Sequence, residues 1–139
     1  MDPKERERKI EHWFGMWLRK EEPAIEELFT PDCLYTESWG PEYRGSKAVE
    51  HWFREWNTRG RVIAWESRRY THSEERSYVE WFFEDRMDDG RTERFDGISV
   101  IEWQNGRIAS LKEYGCRIPH YDPYAQERPA ASETEKSWF

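Results

Sequence analysis

"YVEWFFEDRMDDGRTERFDGISVIEWQNGRIASLKEY", residues 78–114, decides the fold. Two pairs, Asp89-Gly90 and Asn105-Gly106, divide it into three runs rich in β-branched and aromatic residues. Asn, Asp and Gly tolerate positive φ, so each pair reads as the tight turn of a β-hairpin. Just upstream, "RVIAWESRRYTH" from Arg61 reads as one more strand, joined through "SEE" at residues 73–75. The second half of the chain is therefore expected to be an antiparallel meander of four long strands.

The first half carries a different period. In Asp2-Pro3-Lys4-Glu5, Asp2 can cap a helix, Pro3 suits its first turn and Glu5 completes a capping box. Ile10, Trp13, Phe14, Trp17 and Leu18 follow at i, i+3, i+4, i+7 and i+8, one apolar stripe on a helix. Glu22-Pro23 starts a second, shorter helix with Ile25, Leu28 and Phe29 inward, and Pro31 stops it. A short strand over about 33–38 follows, then the turn "GPEYRG". Ser46 caps a third helix whose stripe is Val49, Trp52, Phe53 and Trp56. The reading is α+β, with three N-terminal helices on one face of a curved, mostly antiparallel sheet. It is one domain over residues 1–124, and the polar tail 125–139 is expected to fray.

Composition bounds the function. Only 36% of the 139 residues are apolar, yet 17% are aromatic, nine of them Trp. Large rings must fill the interior, which leads either to concave apolar surfaces or to a Trp-rich core with no cavity. A net charge of −7 with mixed signs lacks the basic face that a nucleic-acid binder needs. No stretch is apolar enough to span a membrane, and the N-terminus has no apolar signal region. Cys33 and Cys116 are isolated thiols without metal-type spacing, which reads as reduced and cytoplasmic. His12, His51, His72 and His120 show no metal spacing either, so no metal or cofactor is expected.

The element order, "AIEELFTPDCLYTESWGPEYRGSKAVEHWF" and the ending "FDG…W.NGRI..L.EY" together resemble the NTF2-like superfamily. The likeness is to its SnoaL-like branch, which includes polyketide cyclases and ketosteroid isomerase. It covers about residues 8–116 and implies a cone-shaped fold with an apolar cavity. The fold hosts enzymes, binding proteins and transport adaptors, so it does not settle the reaction.

Ketosteroid isomerase uses a carboxylate base on its first strand, with a first-helix Tyr and a protonated Asp on a later strand as donors. The resemblance puts the base position on Glu37, the Tyr position on Trp13 and the Asp position on Ser99. Two of the three groups differ, so steroid isomerisation is not expected. The same alignment turns Phe95, Gly97, Ser99, Ile101 and Trp103 to one face, with Tyr78, Glu80 and Phe82, and with Leu111 and Glu113. Candidate acid–base residues are then Glu37, Glu80 and Glu113. Candidate substrate-binding residues are Trp13, Trp17, Trp39, Trp52, Phe82, Phe95, Ser99, Leu111 and His120. Like charges in a dry site cannot all stay ionised, so at least one carboxyl pKa should rise.

Each residue also has a plainer reading. Glu37 can be a solvated edge-strand group, and Glu80 and Glu113 can pair with Arg68, Arg69 or Lys112. Most Trp are expected to be packing, with two or three lining a cavity. Gly97 marks a bulge, a close approach or sheet curvature. Val79, Trp81 and Phe83 fall on the outer sheet face in this register, and need a cover. That cover is a homodimer partner, as the superfamily implies, or the C-terminal segment. The leading function is a cofactor-independent isomerase, cyclase or hydratase acting on a small apolar or cyclic molecule. A binding module without turnover and a protein-interaction adaptor are the alternatives.

Overall fold

The computed structural model describes residues 1–21 and 24–125. Its elements are α1 (Pro3–Arg19), α2 (Ile25–Leu28), β1 (Phe29–Thr36), β2 (Glu42–Arg44), α3 (Ser46–Trp56), β3 (Gly60–His72), β4 (Arg76–Met87), β5 (Thr92–Gln104) and β6 (Arg107–Arg117). The six strands form one sheet in the order β2-β1-β6-β5-β4-β3. Only the β1–β6 pair is parallel. The meander is present as expected, with Asn105 (φ 51°) and Gly106 (φ 78°) at the β5–β6 turn and Gly90 (φ 93°) at the β4–β5 turn. The expected three helices are one long helix and two shorter ones.

Asp2 accepts a hydrogen bond from the Glu5 amide at 2.8 Å, fixing the start of α1. Ile10, Trp13, Phe14 and Trp17 are buried on its inner face, but Leu18 is 41% exposed; Met16 takes the buried place. The second helix ends at Leu28, earlier than the Pro31 signal, and its expected start at Glu22-Pro23 lies outside the described residues. Pro31 instead sits within β1, where the pairing with β6 is broken between Phe29 and Leu34. A residue without an N–H is tolerated at such a gap. "GPEYRG" contains a short strand, β2, that the sequence pattern did not suggest. Ser46 opens α3 without capping it; Gly45, at φ 92°, holds the N-cap position.

Breaks of register in β3, at Val62/Ala64 and Ser67/Arg69, and in the β5–β6 ladder at Glu102/Trp103, bend the sheet over α1 and α3. One end of the fold is pinned by Arg6, 6% exposed. Its guanidinium donates to the carbonyls of Ser73 (2.7 Å), Arg76 (3.0 Å) and Glu74 in the β3–β4 turn. Ser77 beside it receives the Trp103 indole N–H at 2.8 Å and lies 2.8 Å from His72 Nδ1. His72 is half-buried there, with Nε2 2.8 Å from Glu7.

The parity of β4 is the main correction. β4 pairs Val79 with Ser99, Trp81 with Gly97 and Phe83 with Phe95, so the row Val79, Trp81, Phe83 and Asp85 faces inward with Ser99. Tyr78, Glu80 and Phe82 face outward. Val79 (0%) and Trp81 (4%) are buried, whereas Glu80 is exposed. The sequence held the signal: Val79, Trp81 and Phe83 form the wholly apolar row, and burial selects that row. With it turned inward, the outer face lacks the apolar row that called for a covering partner.

Candidate functional site

Between the helices and the concave sheet face lies an aromatic cavity, about 490 Å³ counted out to its mouth. Six tryptophans border it: Trp17 from α1, Trp39 from the β1–β2 turn, Trp52 and Trp56 from α3, Trp65 from β3 and Trp81 from β4. Phe83, Phe95, Val62 and Ser38 complete the apolar and neutral wall, and Glu37, Asp85 and Glu113 are its carboxyls. More of the tryptophans line a cavity than the expected two or three. Val49 and Phe53 on α3 are fully buried, while Trp52 and Trp56 on the same stripe are half-buried because they border the open space.

The wall is fixed by ring contacts. Trp52 stacks on Tyr43 at 4.3 Å and 10°, and Phe14 on Trp65 at 4.1 Å and 13°. Trp17 meets Trp52 at 4.8 Å. Trp81 lies flat across β5 because Gly97 has no side chain: a Cβ there would stand 2.3 Å from the indole. Gly97 is thus a close approach, and β5 runs on through it without a register shift. With its ring so placed, Trp81 donates its N–H to Ser99 Oγ at 2.9 Å. Trp39, 54% exposed, packs on Phe95 at 5.7 Å at the mouth.

The carboxyls are positioned one by one. Glu37 follows β1 in a tight turn, its amide bonded to Pro41 O (2.9 Å) and its carbonyl to the Gly40 amide (3.0 Å). The Tyr43 hydroxyl donates to Glu37 Oε2 at 2.7 Å. Burial pushes Glu37 up from 4.5 to about 7; the Tyr43 bond and Arg59 pull the other way, and Glu93 adds to the rise. Glu113 on β6 is 9% exposed and receives the Tyr35 hydroxyl. Burial pushes it up to about 8, against the pull of that bond and with a further push from Glu37. Asp85 on β4 is 2% exposed, and burial raises it, with Glu93, its partner across β5, adding to the rise. Asp85 Oδ1, Trp17 Nε1 and Trp65 Nε1 are buried without a hydrogen-bond partner.

Of the residues read from sequence, Glu37, Glu113, Trp17, Trp39, Trp52 and Phe95 border the cavity. Trp13 and Leu111 lie behind it in the core, at 0% and 1% exposed. Trp13 Nε1 points to Tyr35 Oη at 3.4 Å and so supports the residue that holds Glu113. Ser99 is likewise behind the wall, occupied by Trp81. Glu80 is outside, 3.7 Å from Arg69, which is the plainer reading of it. Phe82 is also outside, with Arg68 and Arg94 over its ring at 5.6 and 5.5 Å. His120 is exposed and pairs with Asp96 at 3.0 Å. Tyr35, Tyr43, Asp85, Trp56, Trp65, Trp81 and Phe83 were not among the sequence candidates. The apolar row of β4 was the signal for two of them, Trp81 and Phe83.

Among the described residues, no group of three or more His, Cys, Asp or Glu could hold a metal ion, and no helix is long and apolar enough to cross a membrane. Both cysteines are free; burial pushes the Cys33 thiol up to about 11.

Comparison with curated proteins gives no match. Solved structures share the architecture. An LEH-like epoxide hydrolase of M. tuberculosis is similar at TM-score 0.72 and 16% identity, over 81% of this chain and 84% of that one. An NTF2-like protein from Burkholderia xenovorans LB400 is similar at TM-score 0.70 and 17% identity, over 84% and 92%. A hypothetical protein with a ketosteroid isomerase-like fold from Catenulispora acidiphila DSM 44928, in complex with trimethylamine, is similar at 0.65 and 12%, over 76% and 83%. These likenesses carry the fold. A family model described as the SnoaL-like domain matches residues 10–111, most of the sequence. The chain belongs to the SnoaL-like domain family.

Proposed function

We propose that the cavity binds a small, mostly apolar molecule and that its carboxyls act on it by general acid–base chemistry, without a cofactor. The observation that carries this is the pair Glu37 and Glu113, two carboxyls at one aromatic cavity, raised to about 7 and about 8. Near neutral pH Glu37 exchanges a proton readily and Glu113 is mostly protonated. One can accept a proton while the other donates, the division of labour that isomerisation, cyclisation or hydration requires. Tyr43 and Tyr35 orient the two groups through their hydroxyls. In this reading Trp13 and Ser99 do not touch substrate; they brace Tyr35 and Trp81. The unpartnered indole N–H groups of Trp17 and Trp65 take over the expected orienting role.

A binding module without turnover is the second reading, favoured by how completely rings rather than polar groups form the wall. The adaptor reading has less support, because the carboxyls and rings that define the site face inward. A homodimer through the convex sheet face stays part of the proposal, with Tyr78, Phe82 and Tyr114 there among charged neighbours; sedimentation equilibrium tests it. Function is tested by a ligand screen read through Trp fluorescence and repeated on Glu37→Gln. Retained binding with turnover lost supports catalysis; retained binding with no turnover in either protein supports the binding module. Absence of any ligand sinks both small-molecule readings.

A further inference from the structure

The proposed small-molecule site has a composition that selects its ligand. Eight aromatic rings border the cavity, and the charged residues among its lining are all acids: Glu37, Asp85 and Glu113. Among the described residues, no Lys, Arg or His lines it. An aromatic face attracts a cation through its quadrupole, and a carboxylate does so by charge. An anion meets repulsion from both.

A second observation points the same way. Asp85 is 2% exposed, borders the cavity, and keeps Oδ1 without a hydrogen-bond partner. On the same inner face Phe83 is two residues along β4, and Trp65, paired with Phe83 across β3, meets it edge to face at 5.5 Å. A buried acceptor left open is costly unless a ligand satisfies it. Two donors, Trp17 Nε1 and Trp65 Nε1, are open as well, and both residues border the same space. A ligand oxygen answers those.

We infer that the cavity takes an organic cation, a quaternary ammonium or a protonated tertiary amine, carrying one oxygen. The cationic head sits in the ring box beside Asp85, and the oxygen accepts from the indole N–H groups. This rests on the small-molecule reading above and names its substrate class.

The charge requirement links binding to pH. A cation favours the ionised carboxyls, so its arrival draws protons off the acids, from Glu37 (about 7) before Glu113 (about 8), which stays the last to hold its proton. The groups that face these acids are Tyr43, Glu93 and Arg59 at Glu37, Tyr35 and Glu37 at Glu113, and Glu93 and Arg91 at Asp85. None of these is a histidine, so the acids set the dependence.

The test uses choline, its uncharged carbon isostere 3,3-dimethylbutan-1-ol and the anionic 3,3-dimethylbutanoate, each titrated by Trp fluorescence at pH 6 and pH 8. Choline is expected to bind at least about tenfold more tightly than the alcohol at pH 8, and to lose most of that advantage at pH 6. Asp85→Asn and Glu113→Gln should each weaken choline binding about threefold or more while leaving the alcohol within about twofold. Either variant serves if the other fails to fold, since each removes one acid. If the alcohol or the anion binds as well as choline, or choline affinity ignores pH, the cation assignment is overturned while the small-molecule site stands. If none of the three binds, both readings fall.

Discussion

The Tyr43 hydroxyl donates to Glu37 Oε2 at 2.7 Å across the β1–β2 turn, while the Tyr43 ring stacks on Trp52 at 4.3 Å. One side chain thus sets both an acid and a wall of the cavity. The bond favours ionised Glu37 and so restrains the rise that burial causes. Tyr43→Phe keeps the stack and removes the bond. The Glu37 midpoint should then move up from about 7 by roughly one unit. A shift in the pH profile of ligand binding or turnover, wild type against Y43F, reads this.

Stability should fall as pH rises through neutrality. The folded state binds a proton on Glu113 up to about 8, where the ordinary value is 4.5. A raised carboxyl contributes its full stability below about 4.5 and loses it as pH rises through 8, at roughly 1.4 kcal/mol per unit in between. Glu37 and Asp85 act in the same direction. Denaturant melts from pH 5 to 9 should therefore show a decline, and Glu113→Gln, neutral throughout, should flatten part of it and melt higher than wild type at pH 9.

Gly97→Ala should disturb the cavity from behind. The new Cβ would stand 2.3 Å from Trp81, forcing the ring off the strand and breaking its 2.9 Å bond to Ser99. A loss of about 1–3 kcal/mol is expected, with altered Trp fluorescence. A wild-type melting curve and spectrum would contradict the packing described.

Arg6→Ala is the distant control. It leaves the Ser73 and Glu74 carbonyls without this donor, the Arg76 carbonyl keeping the Ser73 amide at 2.8 Å, and should cost about 2–4 kcal/mol. The cavity does not include that turn, so ligand affinity in the folded fraction should not change. Thermal melts and binding titrations on the same preparation separate the two effects.

Particular residues show how far the sequence could be read. The turn pairs Asp89-Gly90 and Asn105-Gly106 carried the meander, because left-handed backbone demands those residue types. Glu37 and Glu113 were reachable through a family offset and through β6 parity. Glu80 and Phe82 went astray because a single-residue slip turns a whole strand over, and an offset carried from a distant relative does not fix that register. The alternation Val79, Trp81, Phe83 did. Tyr35 and Tyr43 were not legible: their role depends on which carboxyl each hydroxyl reaches, Tyr35 to Glu113 across the parallel β1–β6 pair. Nor was Asp85, whose significance comes from the aromatic cavity it borders and not from its neighbours in sequence.

The central claim is that the cavity acids keep their protons to neutral pH. Carbon-13 NMR of the glutamate side-chain carboxyls, assigned with Glu37→Gln and Glu113→Gln, measures this directly. Two resonances should titrate near 7 and near 8, each vanishing in its own variant. Midpoints near 4.5 for both would mean that water reaches these groups freely, and the acid–base account of the cavity would fail.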